Sequence, residues 1–265
     1  MDGTVERIAA GYDAVYAALP QSPTFSRIWR EHALGPDYPA GFEHISFLTL
    51  AEMREMAAAL ALSPRSTLVD LACGMGGPGL WTARETSTHL VGVDISEIAL
   101  THARARAEAL GLAATSRFTV GTFAATGLDD ASADGVMSVD ALQYAPDKRA
   151  ALREAARILR PGGRFVVACF EFDPERVAGL PLFGDDPVGD YHDLLEAEGF
   201  VIDSYAETAD WHERVTSTYQ ACIDARSALS DEMGEAAANA LTGEMSLTLR
   251  LQPYRRRVCI AATRR

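Results

Sequence analysis

An α/β fold, built on a seven-stranded and mostly parallel sheet with helices on both faces, is the architecture this 265-residue sequence predicts. Two observations carry that expectation. From about Ser66 onward, short β-branched and apolar runs alternate with helical patterns, the signature of a parallel sheet shielded on both sides. The first run, Thr67 to Leu71, leads into Gly74-Met75-Gly76-Gly77-Pro78-Gly79, a turn in which glycines let backbone approach a ligand closely.

The elements follow in order. After the first strand a helix opens near Pro78, where a missing N–H costs nothing, with Leu80, Trp81 and Ala83 as its first apolar positions. His89 to Val93 forms the second strand, closed by Asp94. Ser96 offers an N-cap, Ile98, Ala99, Ala103, Ala107 and Leu110 recur at helical spacing, and Gly111 supplies a stop. Arg117 to Gly121 reads as the third strand. Gly135 to Val139 reads as the fourth, ending at Asp140. A helix over Ala150 to Leu159 is ended by Pro161-Gly162-Gly163, and Arg164 to Phe170 is the fifth strand. A helix from Tyr191 to Glu198 precedes a sixth strand, Phe200 to Ser204; Arg257 to Ala262 is the seventh, and these last two close the sheet as a hairpin with a long insertion.

The expected organisation is an N-terminal helical lid over residues 1–60 and a core over 61–265, with 210–253 a helical insertion before the last strand. Tyr12, Tyr16, Phe25, Trp29, Tyr38, Phe42 and Phe47 place seven of the chain's 10 Phe, 3 Trp and 8 Tyr in its first 47 residues. Such rigid aromatic surface is suited to enclosing an apolar small molecule. Tyr12, Tyr16, Trp29 and, from the insertion, Trp211 are the substrate-binding candidates. In the insertion Val215, Tyr219, Cys222 and Ile223 suggest amphipathic helices, serving as a second lid or a homodimer contact.

Composition removes several classes of function. A net charge of −13 and a pI near 4.9 disfavour sustained contact with phosphate backbones, so no nucleic-acid partner is expected. The one basic cluster, Arg255-Arg256-Arg257 with Arg264 and Arg265, reads as the solvated edge of the final strand. The four cysteines, Cys73, Cys169, Cys222 and Cys259, lack zinc or disulfide spacing, which fits a reducing cytoplasm. Asp2 and Glu6 replace the basic flank of a leader, and no apolar run nears the ~20 residues that span a bilayer. A soluble protein without a membrane partner is expected.

The chemistry centres on Asp70, the glycines and Asp94, which lies 20 positions after Gly74 and close to the offset at which a second-strand acid meets ribose hydroxyls. The glycines also satisfy the dinucleotide pattern G-x-G-x-x-G, so a nicotinamide-dependent oxidoreductase is the competing reading. Asp70 separates the two. A carboxylate at the mouth of the turn disfavours a pyrophosphate at the helix N-terminus but suits a cationic centre.

From Leu68 to Phe170 the sequence resembles the class I S-adenosylmethionine-dependent methyltransferases, especially the small-molecule branch of natural-product pathways. The resemblance lies in Asp70-Leu71-Ala72-Cys73-Gly74-Met75-Gly76, in Gly92-Val93-Asp94-Ile95-Ser96, and in Ile158-Leu159-Arg160-Pro161-Gly162-Gly163. It implies a Rossmann-like sheet, S-adenosylmethionine as methyl donor, S-adenosylhomocysteine as product, and O-, N- or C-methylation of a metabolite. Cofactor contacts are then expected from Asp70, Ala72, Gly74, Gly76, Asp94, Ile95, Thr122, Phe123 and Asp140. The sequence departs from the family at three points: Ala72 replaces a glycine, Gly121-Thr122-Phe123 replaces an aspartate facing adenine, and Gln143 and Tyr144 stand where relatives can carry a histidine base. Gln143, Tyr144 and His192 are the catalytic candidates, with His212 and Glu171 as other possible bases. Asp140, Glu171 and Asp173 fall at the ends of neighbouring strands, but no metal centre is expected from them. The alternative to methyl transfer is the same fold put to other chemistry or a scaffold role.

Overall fold

In the computed structural model, residues 3–177 and 186–265 are described, those up to residue 8 as backbone only. The N-terminal stretch supplies α1 (Gly3–Ala18), α2 (Pro23–Ile28), a π-helical turn over Trp29–Leu34, and α3 (Leu50–Leu60). Thr49 caps α3 in a reciprocal box with Glu52, its hydroxyl accepting from Glu52 N while Glu52 Oε2 accepts from Thr49 N. The alternating core follows: β1 (Thr67–Leu71), α4 (Gly77–Thr86), β2 (His89–Asp94), α5 (Glu97–Ala109), β3 (Ser116–Val120), β4 (Ala133–Val139), α6 (Lys148–Ile158) and β5 (Leu159–Phe172). Then come α7 (Pro174–Val177), α8 (His192–Ala197), β6 (Phe200–Glu207), the helices α9 (Trp211–Asp224), α10 (Arg226–Met233) and α11 (Glu235–Arg250), and β7 (Arg255–Arg264).

The seven strands form one sheet in the order β3-β2-β1-β4-β5-β7-β6, with β7 antiparallel between β5 and β6. Strand periodicity divides the core in two. Leu68, Met137 and Val166 face Trp29, Phe47, Met53 and Met245 of the N-terminal helices and the insertion, whereas their neighbours Val69, Val136 and Phe165 face Leu152, Ile158 and Leu195. The insertion packs onto the N-terminal helices, where Glu232 of α10 accepts from Thr24 N at 3.1 Å and Thr24 Oγ1 at 2.6 Å.

Two expectations need correction. Strands β5, β6 and β7 run beyond the predicted ends, because polar residues at their tips hide an alternation that only the pairing reveals; Phe170, Glu171 and Phe172 register with Arg257, Arg256 and Arg255. More consequentially, Arg255-Arg256-Arg257 is not a solvated edge. β7 is an interior strand, and Arg257 is 0% exposed. Its Nε donates to Asp140 Oδ1 at 2.8 Å, and its Nη1 donates to Glu52 Oε1 at 3.0 Å and Thr208 Oγ1 at 3.1 Å. Arg214 of α9 also donates to Glu52 Oε1, at 2.7 Å. A single cation thus joins β7, the end of β4 and α3, and through Glu52 reaches the insertion.

Removing one partner of a buried ion network strands the rest uncompensated. Arg257→Leu is expected to cost about 3–5 kcal/mol of unfolding free energy, read from urea denaturation. Arg160→Leu, which breaks a half-exposed pair with Asp134, should cost under about 1 kcal/mol.

Candidate functional site

The carboxyl ends of β1, β2 and β4 meet where the strand order reverses, the usual crevice of an open α/β sheet. Asp70 sits at the end of β1, 2% exposed, and packs so tightly on α4 that a Cβ at Gly79 would lie 2.5 Å from Asp70 Oδ2. The Gly79 N–H, in the first turn of α4, bonds to this carboxylate. The protein's own acid therefore occupies the positive end of α4 that a dinucleotide pyrophosphate would need. Burial, and then the neighbouring charge of Asp94, push the Asp70 carboxyl up to about 8, against the opposing Gly79 N–H.

Asp94 closes β2, and backbone amides hold it in place. Its Oδ2 accepts from Gly74 N at 2.8 Å and its Oδ1 from Ser96 N at 2.9 Å, while burial raises its pKa. Ser96 caps α5 and donates its hydroxyl to Asp13, bringing α1 across the cleft. Ala72 takes a φ of 58°, the region glycine favours, so its methyl costs about 1 kcal/mol. Gly76 (φ 78°) is the N-cap of α4, and Gly77 has no room for a side chain, because a Cβ there would meet Phe42 O at 2.3 Å.

A cavity of about 250 Å³ opens from these strand ends and is bounded by Ala72, Asp94, Ile95, Thr122, Phe123 and Asp140 on the sheet side. Tyr12, Tyr16, Phe25, Trp29, Phe47 and Phe170 supply much of its apolar wall, with Tyr219 and Met245 from the insertion. Phe25 stacks on Trp29 with centroids 4.8 Å apart, and Trp29 in turn meets Phe47 at 5.3 Å. A smaller cavity lies beside it, lined by Asp70, Cys73, Gly74, Met75 and His44, with Tyr16 lining both. His44 escaped the sequence reading. Its Nδ1 accepts from Ser46 N at 3.1 Å, which leaves the proton of the neutral ring on Nε2, and Nε2 has no hydrogen-bond partner among the described residues. Burial foremost, with Arg106 and Arg257, lowers its pKa to about 3, so the ring is a neutral donor.

Several candidates fall elsewhere than expected. Asp140 lines the large cavity, but both its oxygens are engaged by the protein, Oδ1 by Arg257 Nε and Oδ2 by Phe47 N at 2.8 Å; its φ of 49° turns it toward them. Gln143 is buried and spans two strands, donating to Asp140 O at 2.6 Å and accepting from Phe170 N at 3.3 Å. Tyr144 does face the cavity, and burial, with Glu244, pushes its hydroxyl up to about 12; it can donate a hydrogen bond but is no base near neutrality. His192 is half-exposed, bonded to Asp190 and stacked on Tyr205, outside the cavity. Trp211 is buried behind Phe170, their centroids 5.8 Å apart, and does not line the cavity. Glu171 bonds Tyr205 and Arg256, so it does not converge with Asp140. His212 is absent from the cavity wall as well.

Residues 69–167 match the methyltransferase domain family. The chain is 31% identical over 180 residues to 27-O-demethylrifamycin SV methyltransferase of Amycolatopsis mediterranei (strain S699), covering 67% of this chain and 62% of that protein. It is 30% identical over 166 residues to 24-methylenesterol C-methyltransferase 2 of Oryza sativa subsp. japonica, covering 62% and 45%. The chain thus spans about half the length of these curated relatives. In fold it is similar to the [4+2]-cyclase SpnF (TM-score 0.75, 20% identity, 98% and 96% covered). It is similar also to geranyl diphosphate C-methyltransferase from Streptomyces coelicolor A3(2), solved with Mg²⁺, geranyl-S-thiolodiphosphate and S-adenosyl-L-homocysteine (TM-score 0.68, 18% identity, 99% and 98% covered).

A carboxyl whose folded pKa lies above its unfolded value holds its proton more tightly in the folded state. The stability this lends is complete below the unfolded pKa and is lost as pH rises through the folded one. The ligand-free protein should therefore lose unfolding free energy between the ordinary carboxyl range and about 8 on account of Asp70. Asp70→Asn should flatten that slope, as urea titrations at stepped pH would show.

Proposed function

We propose that this chain, a member of the methyltransferase domain family through residues 69–167, transfers methyl from S-adenosylmethionine to a small, largely apolar metabolite and releases S-adenosylhomocysteine. The observation that carries the reading is the pair Asp70 and Asp94 at adjacent strand ends, opening onto an aromatic-walled cavity. The residues present fit this cofactor. Asp70 and Asp94 would hold its cationic and ribose parts, while the Tyr16 hydroxyl stands against Gly74, where a Cβ would lie 2.6 Å from it. His44 Nε2–H is an unused donor in the smaller cavity, suited to a carboxylate. Ile95, Thr122 and Phe123 line the position expected of adenine, which packing would hold in place of the family's aspartate.

When bound, the cofactor supplies an electrophilic methyl on a sulfonium. The protein's part is to orient the acceptor and exclude water, since in-line transfer to an activated methyl depends chiefly on alignment in a dry pocket. Tyr12, Tyr16 and Trp29 would enclose the acceptor and Tyr144 donate to its polar group. Asp140 and Gln143 shape the loop after β4 and serve as positioning residues. Natural-product metabolism, a cytoplasmic location and dimerisation through the insertion belong to the same reading. No helix among the described residues is long and apolar enough to cross a membrane.

A second reading, the same cofactor-binding fold without methyl transfer, is favoured by one observation: among the described residues lining the large cavity there is no histidine, and Gln143 is tied to the backbone. Calorimetry with S-adenosylmethionine, S-adenosylhomocysteine and NAD is the first test. Micromolar binding of the first two and none of NAD supports the cofactor, and tritium transfer from labelled donor to a metabolite panel then separates the two readings. Asp94→Ala should weaken cofactor binding by about 1–3 kcal/mol through lost charge-assisted hydrogen bonds. His44→Phe should weaken S-adenosylhomocysteine about tenfold while leaving 5′-methylthioadenosine, which lacks the amino-acid part, unaffected.

A further inference from the structure

Glu244 of α11 lines the large cavity, whose wall is mostly apolar and aromatic. Glu244 is exposed to solvent, although the atoms around its carboxyl raise its pKa by desolvation. Among the described residues it makes no hydrogen bond or ion pair, whereas the other acids of the cavity wall are engaged: Asp94 by amides, Asp140 by Arg257. Its charge is felt by the hydroxyls of Tyr12, Tyr144 and Tyr219, each raised in part by it. Arg255 is the one basic side chain among the described residues of the cavity wall. It is committed elsewhere, since Nε donates to Gln252 Oε1 at 2.8 Å and its guanidinium lies 4.7 Å above the Phe170 ring.

An unpaired carboxylate on the wall of an aromatic-lined cavity can be met by a cationic group of the molecule that enters. The surrounding rings favour the same group, because aromatic faces attract cations and give nothing to anions. We propose that Glu244 is the recognition group of the acceptor compartment, selecting an apolar molecule that carries a basic amine. Glu244 accepts a charge-assisted hydrogen bond from the ammonium, the tyrosine hydroxyls surround it, and the apolar body lies against Trp29 and Phe47. This rests on reading the cavity as the acceptor compartment of the proposed enzyme.

The test uses two probes of one shape, 1-adamantanamine and 1-adamantanol. Their binding to the full chain is followed by the fluorescence of Trp29 and by calorimetry, with and without S-adenosylhomocysteine. The amine should bind about ten- to a hundredfold tighter than the alcohol, the range of one charge-assisted hydrogen bond. Glu244→Gln should bring the two within about threefold while S-adenosylhomocysteine affinity stays unchanged, which also shows that the variant is folded. Equal binding of both probes, binding of neither, or a preference that survives Glu244→Gln overturns the proposal. Failure of S-adenosylhomocysteine to bind overturns the proposed function instead, and the amine preference is read independently of it.

Discussion

The buried cation of Arg257 is the interaction on which the rest of the site depends. It engages Asp140 at the cavity wall, braces the left-handed backbone at the end of β4, and holds Glu52 at the start of α3. Glu52 already closes the capping box of α3 and accepts from Arg214 of α9. Strand ends, N-terminal helices and insertion therefore share one electrostatic centre. Within a low-dielectric interior such a network is costly unless its members are paired; Arg257 Nε and Nη1 are, whereas the buried Arg257 Nη2 and Arg214 Nε have no hydrogen-bond partner among the described residues. Phe47 N completes the arrangement by donating to the second Asp140 oxygen, which places Phe47 against the cavity.

The cofactor end follows an opposite logic. Asp70 and Asp94 are buried side by side without a protein cation, and both carboxyls are pushed upward. Backbone amides at the start of α4 and in the turns after β1 and β2 hold them in place without neutralising them. Both carboxyls are thus shifted upward together, a pattern common at functional sites. The steric demands of the turn suit this arrangement. Gly79 leaves room for the Asp70 carboxylate, and Gly77 lets the Phe42 and Glu43 carbonyls press onto α4.

The N-terminal helices and the insertion turn an open crevice into an enclosed cavity. Neither covers it alone: Trp29 and Phe47 from one side meet Tyr219 from the other, with centroids 6.4 and 5.4 Å apart. Glu244 reaches the cavity from the insertion, while Asp13, Tyr12 and Tyr16 approach from α1. The aromatic part of the cavity wall is therefore set largely by parts of the chain outside the matched domain, and the sheet side by residues within it.

The sequence by itself determined the sheet, its helices and the acids at the ends of its first two strands, because these depend on local signals. Strand alternation, the Ser96 cap, the glycine turn and the spacing of Asp94 from it are all legible within a few dozen residues. The ends of β5 and β7 were not, since polar tips on paired strands look like loops until their partners are known. Only the tertiary structure decided that Arg257 is interior, that Asp140 and Gln143 are engaged by Arg257 and by backbone groups, that Trp211 and His192 stand off the large cavity, that Glu244 lines it and that His44 lines the smaller one. The physical reason is the same in each case. The role of a polar side chain is set by which donors, acceptors and charges come within reach of it, and residues as far apart in sequence as Glu52, Asp140 and Arg257 meet only when the sheet has formed.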